Sequence, residues 1–291
     1  MVGTGIWYAT ISALLWGGYL FGLKRYFSGF SPAVVIVTAN AAAVAWYLPV
    51  VLFAPADGPV SGEITPGALA LVVGVLLASA AAYLALLYAL SAGDVSYVAP
   101  LGKLVPAFTL PLEVLLVNES LAAAQVVGVG FATLAVYLAN YQYTGLLAPI
   151  RRAATHRPAQ LALASAALYG AVDVGTRVLL QGVGIRSDVW ALVYTGGVAI
   201  VLLPVAVREW PEEFASAVPK FLALGAVVAV ATHTMMRAFA VLPASVVSPV
   251  LNTQAIVAVV LGGLLLGEDR FGLRLVAGAV AIVGISLIAL G

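Results

Sequence analysis

The chain has no cysteine, which excludes disulfides, thiolate metal sites and cysteine nucleophiles. Charge is almost as scarce. Only 9% of the 291 residues are Asp, Glu, Lys or Arg, against about 25% in an ordinary soluble domain. With a formal net charge of +1 and no basic stripe, the chain has nothing to neutralise a nucleic-acid backbone, so nucleic acid is not an expected partner. A basic leader with a small-residue cleavage site is also missing; the apolar run starts almost at once and reads as a first span, not a signal peptide. Neither His-Glu-x-x-His nor Gly-x-Ser-x-Gly occurs, so an intramembrane enzyme lacks its usual zinc and serine signatures. No catalytic residue, metal or cofactor is expected.

What fills the chain is apolar. Hydrophobic residues make up 63% and the mean hydropathy is +1.11, the profile of a polytopic membrane protein. A span needs about 20 mostly apolar residues to cross about 30 Å of hydrocarbon. Gly, Pro and charged residues divide the sequence into ten such segments: 6–27, 31–53, 66–90, 94–117, 122–141, 160–181, 187–207, 219–241, 245–266 and 271–290. Pro32 after Ser31, Pro66 after Thr65, and Pro219 mark helix starts, where a missing N–H costs little. Ser120 and Asp269 are suitable N-caps for spans five and ten.

The segments come in two sets. Ser96, Pro100 and Glu119 return as Ser245, Pro249 and Glu268, an offset of 149 residues. Trp16-Gly17 with Lys24 is echoed by Tyr169-Gly170 with Arg177, and Leu48-Pro49 by Leu203-Pro204. The expected organisation is a first five-helix repeat over 1–141, an inter-repeat loop over 142–159 and a second five-helix repeat over 160–291. Because five is odd, the second copy enters the bilayer from the opposite face. The fold class expected is therefore all-α and integral to the membrane, ten transmembrane helices as two inverted five-helix repeats, an arrangement secondary transporters use.

Ionisable groups inside spans are the candidate functional residues, because each costs about 2.5–3.5 kcal/mol near the bilayer centre on insertion scales. They are Lys103 and Glu113 in span four, Asp173 and Arg177 in span six, and His233 and Arg237 in span eight. Asp173 and Arg177 are four apart, as are His233 and Arg237, so each pair shares a helix face. Ser245 and Asn252 give span nine a neutral stripe. Blander readings stand beside these. Asp173 and Arg177 form an intrahelical ion pair, or both face a cavity; Glu113 is a long-range partner of Lys103, or a proton carrier. Lys24 and Arg25 snorkel to headgroups. Tyr88, Tyr97 and Trp190, near span ends, read as interfacial anchors, and the Gly18–Gly22 and Gly263–Gly267 spacings read as close helix packing.

Ten spans in two inverted halves, the Trp16-Gly17 to Lys24 spacing and the Gly267-Glu268 pair closing span nine resemble the EamA branch of the drug/metabolite transporter superfamily. Asn118 stands where that pattern usually has Gly before Glu119. The resemblance implies a carrier with a central cavity lined by spans one, three, four, six, eight and nine, with spans five and ten peripheral. It also implies cytoplasmic termini, whereas the charge bias implies the reverse: Arg25, Arg151, Arg152, Arg157, Arg208, Lys220, Arg270 and Arg274 lie on one side, and Arg186 on the side with both termini.

The function expected is secondary transport of a small metabolite across the cell membrane by alternating access, with an amino acid or small organic anion as substrate. Sugar-phosphate or nucleotide-sugar exchange is the alternative. Trp16, Tyr83, Lys103, Tyr169, Arg177, His233, Arg237 and Asn252 are the expected substrate-binding residues, and Glu113 and Asp173 the proton-coupling candidates. Expected partners are the substrate, the lipid bilayer and a coupling proton, with the chain a monomer or homodimer.

Overall fold

A computed structural model of the chain describes residues 2–53, 58, 60–61, 64–92, 101–118, 120–139, 156–212, 214–266, 276, 279–280 and 282–287. Among them the secondary structure is helical, apart from an isolated antiparallel bridge between Val60 and Ile185. The helices are α1 (Val2–Tyr26), α2 (Pro32–Leu52), α3 (Pro66–Ala92), α4 (Val105–Val117), α5 (Ala123–Ala139), α6 (Arg157–Arg177), α7 (Ser187–Arg208), α8 (Val218–Phe239), α9 (Ala244–Asn252) and α10 (Gln254–Leu266). A π-helical turn, Val178–Gly182, extends α6. Six spans are long and apolar enough to cross a membrane: α1, α2, α3, α6 with its π turn, α7, and α8 with the turn before it.

Several helix starts follow the local chemistry read from the sequence. The Ser31 hydroxyl accepts from the Val34 N–H at 3.3 Å, and the Thr65 hydroxyl from the Ala68 N–H at 3.1 Å, each satisfying a donor that the first helical turn leaves open. At α5 the cap differs from expectation. The Gln125 side chain, instead of Ser120, reaches back to cap the turn, accepting from the Ala122 N–H at 2.9 Å. Ser96, Tyr97, Pro100, Glu119, Arg151, Arg152, Gly267, Glu268, Asp269, Arg270 and Arg274 lie outside the described residues.

Spans four and nine are each interrupted. Residues 101–102 are helical, Lys103 and Leu104 are not, and α4 begins at Val105; in span nine Thr253 separates α9 from α10. The two breaks share one bonding pattern. Leu104 N–H bonds Leu101 O and Ala107 N–H bonds Leu104 O; 149 residues on, Thr253 N–H bonds Val250 O and Ile256 N–H bonds Thr253 O. Bonds of this i to i−3 type tighten the backbone and mark the end of one helical segment and the start of the next.

Packing brings small residues inside and leaves large ones outside. Ala dominates the buried apolar set, whereas Trp7, Trp46, Leu52, Phe53, Leu115 and Ile200 are exposed. This is the pattern of helices packed in lipid, where close backbone approach replaces the hydrophobic effect. A Cβ on Gly225 would meet the Ala42 Cβ at 2.4 Å, one on Gly170 the Phe108 Cβ at 2.9 Å, and one on Gly17 the Val257 Cβ at 2.5 Å. Gly18 and Gly22 have nothing within 4 Å of such a Cβ, so that pair is not a packing seam within the described residues. Trp190 also departs from expectation. It is fully buried and packs on Tyr194, so it is a core residue instead of an interfacial anchor.

One end of the bundle, the near end, holds the start of α1 and gathers several connections. Gly5 of α1 touches Val241 and Leu242 after α8, Val60 pairs with Ile185, and the Arg186 guanidinium donates to the Gly58 carbonyl at 3.2 Å. The connections after α2, α6 and α8 therefore meet at that end. Arg186 is ion-paired there with Asp188.

Candidate functional site

A cavity of about 290 Å3 lies in the middle of the bundle, at the small end of the range of ligand pockets. Its wall takes Trp16 and Tyr19 from α1, Tyr83 from α3, Tyr169 and Asp173 from α6, Asn252 from α9, and Lys103 from the break before α4. Of the expected substrate-binding residues, Trp16, Tyr83, Lys103, Tyr169 and Asn252 therefore meet, and Asp173 joins them.

The breaks explain how the two polar side chains of spans four and nine arrive there. Lys103 and Asn252 are separated by the same 149 residues as the breaks themselves, so each stands where the chain turns into its second helical segment. Asn252 is buried and donates to the Ser248 carbonyl at 3.2 Å. Lys103 makes no hydrogen bond or ion pair with the described residues. Asp173 and Ser248 both line the cavity, and the Ser248 hydroxyl lies 3.4 Å from the Thr109 hydroxyl. Trp16 and Tyr19 meet edge to face, with ring centroids 5.2 Å apart. The wall thus combines one cationic and one acidic side chain with amide groups and an aromatic surface.

The remaining expected residues lie elsewhere. Arg177 is paired with Glu113 across α6 and α4 at 2.5 Å, so it is not an intrahelical partner of Asp173. Glu113 is wholly buried and its carboxylate also accepts from the Ala244 N–H at 2.6 Å and the Ser245 N–H at 2.7 Å, with the Ser245 hydroxyl as a further donor. It is not the partner of Lys103; ten residues of separation amount to about 15 Å along a helix. His233 is hydrogen-bonded through Nδ1 to the Tyr47 hydroxyl. Arg237 is exposed, with its guanidinium 5.6 Å over the Tyr8 ring, a cation–π contact. None of these four lines the cavity.

Asn40 of α2, Tyr194 of α7, and Thr232 and Ser248 also line the cavity, and sequence reasoning does not single them out. Asn40 has a visible signal, an amide inside an apolar span. Tyr194 has little, because a tyrosine in a membrane helix more often marks an interface. Spans two and seven thus contribute to a wall expected from six others, while span five contributes none of the lining residues. Among the described residues no cluster of His, Cys, Asp or Glu is arranged to hold a metal ion.

The architecture and the sequence both have counterparts. A solved crystal structure of another protein superposes on this chain with a TM-score of 0.79 at 14% identity, covering 98% of this chain and 96% of the other, a likeness of fold. No curated protein matches the chain. The model of the EamA-like transporter family matches twice, over residues 3–141 and 157–290. Two matches spanning nearly the whole sequence, on a helical bundle built around a cavity with charged and amide side chains in its wall, make this chain an integral membrane protein that belongs to the EamA-like transporter family.

Proposed function

We propose that the chain is a secondary transporter that moves a small zwitterionic metabolite, an amino acid in the first instance, through the central cavity by alternating access. The observation that carries this reading is the pair of ionisable groups in the cavity wall, Lys103 and Asp173. Burying ionisable groups at membrane depth is expensive, and a substrate bearing a carboxylate and an ammonium would offset both. Lys103 takes the carboxylate and Asn252 hydrogen-bonds it. Asp173 takes the ammonium, and carries the coupling proton when the substrate is absent. Trp16, Tyr83 and Tyr169 form the walls. Since Arg177 is matched by Glu113 and Arg237 is exposed, a single cation among the described residues faces the cavity, which weighs against the doubly charged phosphate of a sugar-phosphate or nucleotide-sugar substrate.

Ten spans as two inverted five-helix halves, 1–141 and 160–291, in the cell membrane belong to the same proposal. The double family match and the recurrence of the break at 149 residues support it. The test is uptake of labelled amino acids and organic acids into proteoliposomes, with and without a proton gradient. Lys103→Met abolishes uptake of the substrate found, and the variant keeps the parent's melting temperature in detergent. Undiminished uptake by Lys103→Met refutes the assignment.

A further inference from the structure

The polar groups of α4, α6 and α9 that do not reach the cavity form a second cluster, between the cavity and the near end. Its centre is the Glu113 carboxylate, saturated by one guanidinium, two backbone N–H groups and one hydroxyl. Two of those donors are the amides that open α9, so Glu113 acts as the N-cap of a helix belonging to another span, where a negative charge is favoured. Arg177 extends the cluster. Its Nε donates at 3.1 Å to the Gln181 side-chain oxygen, and the Gln181 amide donates to the Phe239 carbonyl at 2.7 Å and the Leu242 carbonyl at 3.0 Å. Phe239 ends α8 and Leu242 lies in the turn to α9. The entire α8–α9 hairpin is therefore gripped at both of its helix termini, by groups from α4 and the end of α6.

We propose that Glu113 is the latch of a gate at the near end: it holds the α8–α9 hairpin down on α4 and α6, and the carrier opens to that side by releasing it. This rests on the alternating-access reading above. The segments joined by the latch, α4 and α9, are the near-end halves of the two interrupted spans, and each meets the cavity at its break, beside Lys103 and Asn252. Ligand engaging those two residues thus touches the inner ends of the gate. The latch is also one-sided. The 149-residue offset that relates Lys103 to Asn252 places Gly262 where the second half would hold a matching carboxylate. Losing one partner of a buried charge pair of this kind is strongly destabilising, so the intact latch favours the near-end-closed form.

Sided thiol labelling tests this, and the absence of cysteine means that introduced thiols report without background. Asn40 lines the cavity, and its side-chain amide donates to the Ile36 carbonyl of its own helix at 2.9 Å, which suits Asn40→Cys as an access reporter. Ala206, fully buried away from the cluster, provides a control for the fold as Ala206→Cys. Each is reconstituted in vesicles whose orientation is read from protease access to an N-terminal tag, and a membrane-impermeant maleimide is applied from the near-end face. With Glu113 intact, Asn40→Cys reacts slowly from that face. Glu113→Gln raises its rate at least tenfold while Ala206→Cys stays protected. An unchanged rate overturns the proposal, whatever transport does. If Glu113→Gln exposes both reporters, Gln181→Ala decides in its place: a raised rate at Asn40→Cys alone upholds the latch, and any other result overturns it. Because labelling needs no substrate, a failure of the amino-acid assignment leaves this result standing, and the converse holds.

Discussion

Removing the guanidinium of Arg177 while keeping its aliphatic volume, as in Arg177→Met, leaves Glu113 with no counter-charge. The Glu113 side chain is wholly shielded and that of Arg177 is 11% exposed, so solvent cannot replace the lost partner. Breaking a buried pair from one side costs about 3–5 kcal/mol. Here Glu113 keeps the Ala244 and Ser245 amides and the Ser245 hydroxyl, which places the expected loss at the lower end, about 3 kcal/mol. At about 2–4 °C per kcal/mol for a large domain, the melting temperature falls by about 6–12 °C. The double variant Arg177→Met/Glu113→Gln removes both charges and recovers most of that loss, since a neutral side chain tolerates the same site. Thermal unfolding in one detergent, followed by tryptophan fluorescence for the parent, both single variants and the double, gives the coupling energy directly. A single variant that melts with the parent, or a double variant whose loss equals the sum of the singles, refutes the account of Glu113 as a charge held by its partner.

Other outcomes follow from the same contacts. Gly225→Leu places a side chain where even a Cβ meets Ala42 at 2.4 Å, so α2 and α8 separate and the protein fails to accumulate in membranes, whereas Gly18→Ala, with open space around it, accumulates normally; a fluorescent fusion on size-exclusion chromatography compares the two. Tyr47→Phe deletes the hydroxyl on His233 and lowers stability by about 0.5–1.5 kcal/mol, read as a shift of the melting curve. Asp173→Asn removes the acidic side chain of the cavity wall, so uptake no longer responds to a proton gradient and exchange of the same substrate across the vesicle needs a higher substrate concentration; exchange at the parent's KM would show that Asp173 does not take the ammonium, and an unchanged response to the gradient that it does not carry the proton.

Much of the framework is legible in the amino-acid sequence, and the reason is the bilayer. Length, hydropathy and the Pro32, Pro66 and Pro219 markers place the long helices because a membrane imposes one length and one polarity on them. Charges at membrane depth point to Lys103 and Asp173 for the same reason. What the sequence withholds is rotation. In an amphipathic soluble helix the apolar stripe shows which side is inward, but helices apolar on every side carry no such stripe. Nothing in the spacing of Asp173 and Arg177 therefore tells that one faces the cavity and the other faces Glu113. Trp190 escapes its expected interface on the same ground, since closeness to a span end says nothing about direction. The pairing of Glu113 with the start of α9, 131 residues away, is a property of the folded chain alone.

The interruption before α4 has one more consequence. Pro106 has no N–H, and it stands four residues after Gly102, where an uninterrupted helix would supply the donor for the Gly102 carbonyl. Gly102 lines the cavity. Its carbonyl oxygen is thus an acceptor that the helical ladder does not engage, and an ammonium reaching it forms a bond without displacing one. At the second break, 149 residues on, Ala255 stands in the place of Pro106, and alanine has the N–H that proline lacks. The two breaks therefore differ in the donors of their main chain, and Pro106→Ala gives the first the N–H that the second has while leaving every side chain named above in place.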